Sequence, residues 1–461
     1  MIDNILSNNK IKKILKSDDI RKQMKAPIAP NLFSGEFSIT IDTTKDGSAD
    51  DTFILPTDGA SVYDYYVDWG DNQTDHVVVN TSQTHVYTIA GIYRIKISGT
   101  FPHIYFNNTG DKLKLISIDN WGKVAWNSFE GAFYGCGNLT SVDLTNLDSS
   151  NSSSIAYMFS NSGLTSFAVN NWNVSNAVSA DQLFSNCTSL TSVNINNMNI
   201  SNADDLSFMF RKCTSLISIN MNGIDWSSCT NLAGLFEDCA NLTTINNVGD
   251  WDLSNITYLN KVFEGCSSLE NIDVSNWVFK NGTSMQNTFK DCSGLTSLDV
   301  GGWNFGNITS VLGTFKGCVN LEELDVSNWD VSNCEAMYGT FYDCSNLTSL
   351  DVGGWDTSSV ISFYNCFYNC SLLKNSFANF DISSVEAGGM NNMFRNCDIN
   401  EEGTTANYDA TLISWAAQAV NPNLVFNAGN SKYSAGGGGT AARAVLTGAP
   451  NNWTIYDGGE A

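Results

Sequence analysis

Eleven phenylalanines divide most of this chain into nearly equal lengths. Phe133, Phe159, Phe184, Phe210, Phe236, Phe263, Phe289, Phe315, Phe341, Phe367 and Phe394 follow one another at steps of 25 to 27 residues, and all but Phe159 head the pattern F-x-x-C. A period held that long requires a solenoid, whose units each bury their apolar side against the next. The residue four before each marker is apolar, from Phe129 and Ile155 through Met285, Val311 and Met337 to Met390. An i, i+4 apolar pair fits one or two helical turns on a core. Beyond the cysteine comes L-x-x-L-x-V, as in Leu295, Leu298 and Val300, whose final alternation is that of a short, half-buried strand. Each unit is therefore expected to run strand, turn, short helix. Eleven such units stacked roughly 4.8 Å apart make a body about 50 Å long.

The residues between those positions repeat as well. Lines such as "CSGLTSLDVGGWNF" (292–305), "CVNLEELDVSNWDV" (318–331) and "CSNLTSLDVGGWDT" (344–357) carry Cys, Leu, Asp and Trp in register. Together with the Met-Phe that precedes the cysteine in several units, they resemble the BspA-type leucine-rich repeats of bacterial surface proteins and of some phage and protist proteins. The resemblance covers roughly residues 112–400. It implies a right-handed solenoid with a parallel strand ladder, used for adhesion and recognition rather than catalysis. Two units depart from the pattern: Ser162 stands for the cysteine in the second, and "SLLKNSFANFDI" (371–382) lacks the aspartate and has Phe380 for the tryptophan.

Before the repeats, residues 34–105 hold "YDYYVDWGDNQTDHV" and "THVYTIAGIYRIKISG", alternating runs around turn residues that read as strands. Asp68, Trp69, Gly70, Asp71, His85, Tyr87, Gly91 and Tyr93 resemble the marks of the polycystic-kidney-disease (PKD) type of immunoglobulin-like domain. That resemblance implies an all-β sandwich acting as a spacer or ligand-presenting module. Asn72 stands where that family's turn has its last glycine. After the repeats, residues 401–461 read as a cap of two helices and a closing strand, because an uncovered last coil exposes core. The expected fold is an α/β leucine-rich-repeat solenoid with short helices over 112–400, preceded by a small immunoglobulin-like sandwich.

Lys and Arg number 23 against 47 Asp and Glu, a net charge of −24, although charged residues are only 15% of the chain. That balance repels nucleic acid and anionic membranes. Residues 1–33 are the exception. Lys10, Lys12, Lys13, Lys16, Arg21, Lys22 and Lys25 outnumber three acidic side chains there, and apolar residues recur at mixed spacings, as in a helix docked by one face. No apolar run follows those charges as in a secretory signal, and no stretch of 18 apolar residues suits a membrane span. The segment is expected to anchor the chain on other structural proteins of a particle.

Ten of the thirteen cysteines keep the repeat period and read as reduced core residues, since so uniform a ladder does not resolve into disulfide pairs. Trp251, Trp277, Trp303, Trp329 and Trp355 read as a buried stack. Asp273, Asp299, Asp325 and Asp351 alternate with inward residues and are expected to point outward with Ser297; these five are the candidate ligand face. Aspartates one coil apart repel unless Ser or Asn hydrogen bonds, a cation or a ligand offsets them. Asp42, Asp46, Ser48, Asp50 and Asp51 make an oxygen-rich loop of the kind calcium takes, with Asp46 and Asp50 the candidate ligands and a solvated turn the simpler reading. No cofactor is expected. Without histidine in the repeats or a hydrolase motif, no catalysis is expected either. The expected function is that of a non-enzymatic structural and recognition protein of a bacteriophage particle, a head or tail fibre or decoration on the virion surface. Repeated copies would adhere to host glycans or proteins. A bacterial cell-surface adhesin and an intracellular protein-binding scaffold are the alternatives.

Overall fold

A computed structural model describes residues 33, 35–169, 172–279, 284–303, 308 and 310–461, so the basic side chains from Lys10 to Lys25 lie outside the described residues. Residues 37–120 supply seven strands. β1 (Phe37–Asp42), β3 (Asp64–Asp68), β4 (Thr74–Val77), β6 (Ile92–Thr100) and β7 (Leu115–Asn120) form one sheet in the order β4-β3-β6-β1-β7, every pairing antiparallel. β2 (Thr52–Leu55) and β5 (Gln83–Val86) form a separate antiparallel ribbon. Period-two alternation decides the faces: Phe37, Ile39 and Ile41 of β1, Tyr65 and Val67 of β3, and Ile95 and Ile97 of β6 are fully buried. Trp69 stacks on His85 at 4.7 Å, and the Tyr87 hydroxyl donates to the Trp69 carbonyl at 3.0 Å, so these residues hold a turn together. The immunoglobulin-like sandwich expected for residues 34–105 is corrected by this topology. β1 satisfies its second edge with β7, a strand from beyond that range, and the remaining pair is a two-stranded ribbon.

Beyond β7 the chain winds as a β-solenoid with short, parallel strands. β8 (Ser166–Ala168), β9 (Ser192–Asn194), β10 (Ser218–Asn220) and β11 (Thr244–Asn246) make one ladder, with Ser166, Ser192, Ser218 and Thr244 in register. β12 (Ser297–Leu298) pairs with β13 (Glu323–Leu324). The first ladder ends at the 27-residue step after Phe236, where Asn247 takes a φ of 55° and Val248–Asp250 form a 3-10 turn that absorbs the added residue. The coil from Cys318 to Phe341 shows how the period maps onto the winding. Cys318, Leu321, Leu324, Val326, Trp329, Val331, Cys334, Met337 and Phe341 point inward and are at most 5% exposed. Glu322, Glu323, Asp325, Asn328 and Asp330 point out between them.

The short helices expected before each marker phenylalanine do not form, and the α/β assignment is corrected to a β-solenoid. The backbone shows why. The residues two before and two after every marker have positive φ, from Gly131 and Gly135 at the first to Asn392 and Asn396 at the last. A right-handed helix needs negative φ throughout, so two left-handed residues in five prevent it. A run of overlapping turns takes its place. Around Phe159, the amides of Met158, Ser160 and Ser162 donate to the carbonyls three residues back, while those of Ile155, Tyr157, Phe159 and Asn161 donate to the next coil at 2.8–3.1 Å. Alternate amides thus stitch coil to coil, which the internal bonds of a helix cannot do. Left-handed backbone costs an ordinary L-residue roughly 1–2 kcal/mol but suits Gly and, less well, Asn and Asp. Accordingly, Gly, Asn or Asp fills the position two after the marker in every coil but that of Lys212.

Two α-helices occur among the described residues, α1 (Ala406–Ala416) and α2 (Gly438–Thr447), both beyond the last coil. β14 (Val425–Asn427) and β15 (Thr454–Tyr456) pair in parallel beside them. The Phe394 amide donates to the Asn427 carbonyl at 2.9 Å, and Phe426 sets its ring edge-on to Phe394 at 6.1 Å and to Trp415 at 5.2 Å. The tail thereby closes the apolar end of the solenoid, and one contiguous core runs from Phe37 to Trp453.

Candidate recognition surface

The groups with intrinsic reactivity are used up inside. All thirteen cysteines are free and buried. From Cys187 to Cys397, each in-register thiol donates to the carbonyl of the marker phenylalanine one coil back, at 2.9–3.2 Å. Burial pushes these thiols up, Cys187 to about 11 and Cys397 to about 12, which keeps them protonated and unreactive near neutrality. Ser162, in the coil without that cysteine, bonds Cys187 Sγ at 3.3 Å. The rings from Trp251 to Trp355 stack at 5.8–6.3 Å, and Phe380 continues the column at 6.0 Å. The indole N–H groups of Trp277, Trp303, Trp329 and Trp355 donate to backbone carbonyls one coil back, as Trp303 to Val274 at 2.8 Å, while that of Trp251 is buried without a partner among the described residues.

Asp273, Ser297, Asp299, Asp325 and Asp351 are all exposed, as the alternation requires. Each aspartate closes a turn. Asp273 Oδ1 accepts the Ser275 hydroxyl at 2.7 Å and its N–H at 3.2 Å, and Asp325 accepts the same pair from Ser327 at 2.7 and 3.0 Å. Asp299 and Asp351 accept the N–H of Gly301 and Gly353 at 3.3 and 3.1 Å. The Ser275 and Ser327 hydroxyls, aided by their N–H groups, hold Asp273 and Asp325 below the usual carboxylate range. Serine hydrogen bonds therefore supply part of the offset at Asp273 and Asp325, and a backbone N–H alone does so at Asp299 and Asp351. A second such row, which the sequence reading missed, runs through Asp330, Asp356 and Asp381 with Ser332, Ser358 and Ser383. Its signal is the D-x-S written twice in "DVSNWDVSN". Asp273 also lines, with Asp250, a groove of about 400 Å³ where the first strand ladder stops.

The calcium candidates Asp46 and Asp50 are exposed. Ser48 turns instead to the buried Asp111, which accepts its hydroxyl at 2.8 Å and its N–H at 2.6 Å. The buried Lys114 ammonium sits among the carbonyls of Ser48, Ala49 and Thr52 at 2.8–3.1 Å, so a side-chain cation fills the loop's oxygen cage. No group of three or more His, Cys, Asp or Glu among the described residues is placed to hold a metal.

The face made by the overlapping turns carries a different pattern. One residue beyond each marker, Glu237 pairs with Arg211 at 2.9 Å and with Lys261 at 3.2 Å, and Glu264 pairs with Lys261 at 3.3 Å and Lys290 at 2.6 Å. The row then becomes aromatic: Lys316 lies over the Tyr342 ring at 4.6 Å, Tyr342 stacks on Tyr368 at 4.6 Å, and Arg395 lies over Tyr368 at 5.9 Å. Beside it Tyr338 stacks on Tyr364 at 5.1 Å. The four tyrosines were not among the expected site residues. Their signal is Y-x-x-F-Y-x-C, which occurs in "YGTFYDC" (338–344) and "YNCFYNC" (364–370) and in no other unit.

A comparison with curated proteins returns no match. Among solved structures, a leucine rich cell surface protein from Faecalibacterium prausnitzii A2-165 aligns at 16% identity over 64% of this chain and 95% of its own, with a TM-score of 0.18, a likeness too weak to bear on the fold. No helix of the described residues is long and apolar enough to cross a membrane. The family model described as Mycoplasma protein of unknown function, DUF285, matches residues 103–220, 127–244, 204–310 and 283–408, which together span more than half of the chain, from just before β7 to the first residues of α1. This repeat protein belongs to that family.

Proposed function

We propose that the protein is a non-enzymatic recognition protein displayed on a surface, where its solenoid adheres to glycans or proteins of another cell. The observation that supports this reading is how the solenoid divides its side chains. Thiols are buried and hydrogen-bonded, while Asp, Ser, Asn and Tyr stand outside in rows repeated from coil to coil. Rows of like groups at a fixed spacing suit a repeating polymer or a broad partner, where many weak contacts sum. Catalysis has the opposite need, convergent titratable groups in a site that excludes water.

In its more specific form the proposal places the protein on a phage particle in several copies, held by residues 1–33 and turned toward the host. That form rests on the basic sequence of the segment, and a bacterial cell surface is the alternative carrier. Beads coated with the protein should adhere to intact bacteria saturably and in competition with free protein. Absence of adhesion across a broad panel of cells refutes the recognition reading. Copurification with virions, lost on deletion of residues 1–33, separates the phage form from the cellular one.

A further inference from the structure

We infer that Tyr338 and Tyr364 form a shelf that binds the ring of a neutral sugar, an inference that rests on the surface-recognition reading and names its ligand class. The two tyrosine columns differ in what remains open. Tyr342 and Tyr368 have their outer faces taken by Lys316 and Arg395. Among the described residues no cation lies over Tyr338 or Tyr364: Tyr338 is 47% exposed, and beyond Tyr364 the next coil offers Glu386, Gly388 and Asn391 rather than a third ring. A cleft of about 360 Å³ results, within the range of roughly 300–1,000 Å³ typical of small-molecule sites. Its floor is kept clear, since a Cβ added at Gly388 would meet nothing nearer than Asn391 Nδ2 at 3.9 Å.

The fold does not need these rings. At the position of Tyr338 other coils carry Ser207, Ala233 or Gln286, and the inward column is complete without it. What the rings add is an amphipathic surface beside polar groups. Ile361 extends the apolar side, while Ser362, Glu386 and Asn391 line the cleft with hydrogen-bonding groups. The C–H face of a pyranose matches the rings, and its hydroxyls match an accepting carboxylate. Glu386 and the net charge of −24 disfavour sialylated or phosphorylated ligands at this place.

The test uses the full chain and four probes: tetrasaccharides of β-linked glucose, of galactose and of N-acetylglucosamine, and sialyllactose as the anionic comparator. Saturation-transfer NMR and titration calorimetry should show at least one neutral tetrasaccharide binding with Kd at or below about 1 mM. Tyr338→Ala and Tyr364→Ala should each weaken it about tenfold or more, the scale of losing one stacked ring. Tyr364→Phe should keep affinity within about threefold, Ala387→Trp should block the cleft, and Tyr342→Ala, in the covered column, should leave binding unchanged. Unaltered urea midpoints certify that the variants fold. No neutral binding at about 1 mM, equal binding by Tyr338→Ala and Tyr364→Ala, or preference for sialyllactose overturns the shelf. If the double variant Tyr338→Ala/Tyr364→Ala still adheres to cells at full strength, the shelf fails while surface recognition stands.

Discussion

Gly317→Ala distinguishes the run of turns from a helix by the sign of its effect. Gly317 lies two residues after Phe315, with a φ of +79°. In a helix interior the change would stabilise the protein by about 1 kcal/mol, the propensity difference between the two residues. In the left-handed backbone an alanine loses roughly 1–2 kcal/mol. Its smaller unfolded-state entropy returns about 0.4–1 kcal/mol of that. A Cβ at this place also presses on Asp291 Oδ1 of the preceding coil and comes within 3.4 Å of its Cα, so the carboxylate must shift, which disturbs its pairing with Lys290 at 3.4 Å. That exposed ion pair is worth about 0–1 kcal/mol. The central values of these terms sum to a loss of about 1 kcal/mol, opposite in sign to the helical case. Equilibrium urea unfolding followed by the fluorescence of the twelve tryptophans, Trp303 and Trp329 of the neighbouring coils among them, reads the effect. The midpoint should fall at constant slope. An unchanged or raised midpoint would refute the left-handed assignment and restore the helix.

Gly353→Ser, which copies Ser275 and Ser327 at the same turn, should stabilise by about 0.5–1 kcal/mol in the same assay, through lower unfolded-state entropy and a hydroxyl bond to Asp351. Phe289→Ala should cost about 3–5 kcal/mol, because the ring is fully buried and stacks at 5.4 Å on Phe263 and 5.7 Å on Phe315; with coupling between coils cut there, the unfolding slope should also drop. The thirteen thiols should resist a soluble disulfide reagent under native conditions and all react in denaturant; fast labelling of the native protein would contradict their burial. Asp273 and Asp325 have folded pKa values below the ordinary 3.8, so their contribution to stability is complete above that value and disappears as pH falls through the folded one. The urea midpoint should therefore decline in acid, and Asp273→Asn/Asp325→Asn should flatten that decline without changing the slope near neutrality.

The inward half of each coil was legible because a unit that packs on a near copy of itself must keep its register. Cys318, Leu321, Trp329 and Phe341 could be placed from spacing alone, as could the outward aspartates. The turn run was not read correctly, since an apolar pair four residues apart is common to a helix and to two left-handed turns. The recurrence of Gly, Asn and Asp two places after the phenylalanine was the evidence that separates them. The N-terminal sheet was missed for a different reason: β7 pairs with β1 across about 80 residues of sequence, and no local pattern encodes so distant a partner.

The sequence by itself determined the period, the solenoid, the identity of the core and the excess of acidic over basic groups, because each follows from counting residues at a fixed interval. Only the tertiary structure decided which outward groups remain available. It showed that serines occupy Asp273 and Asp325, that Lys114 fills the loop beside Asp46 and Asp50, and that cations cover one tyrosine column while Gly388 leaves the other open. The serine bonds are local, two residues along the chain. The other outcomes depend on contacts between coils and between distant strands, where one side chain's freedom is set by a residue about 26 places away or more.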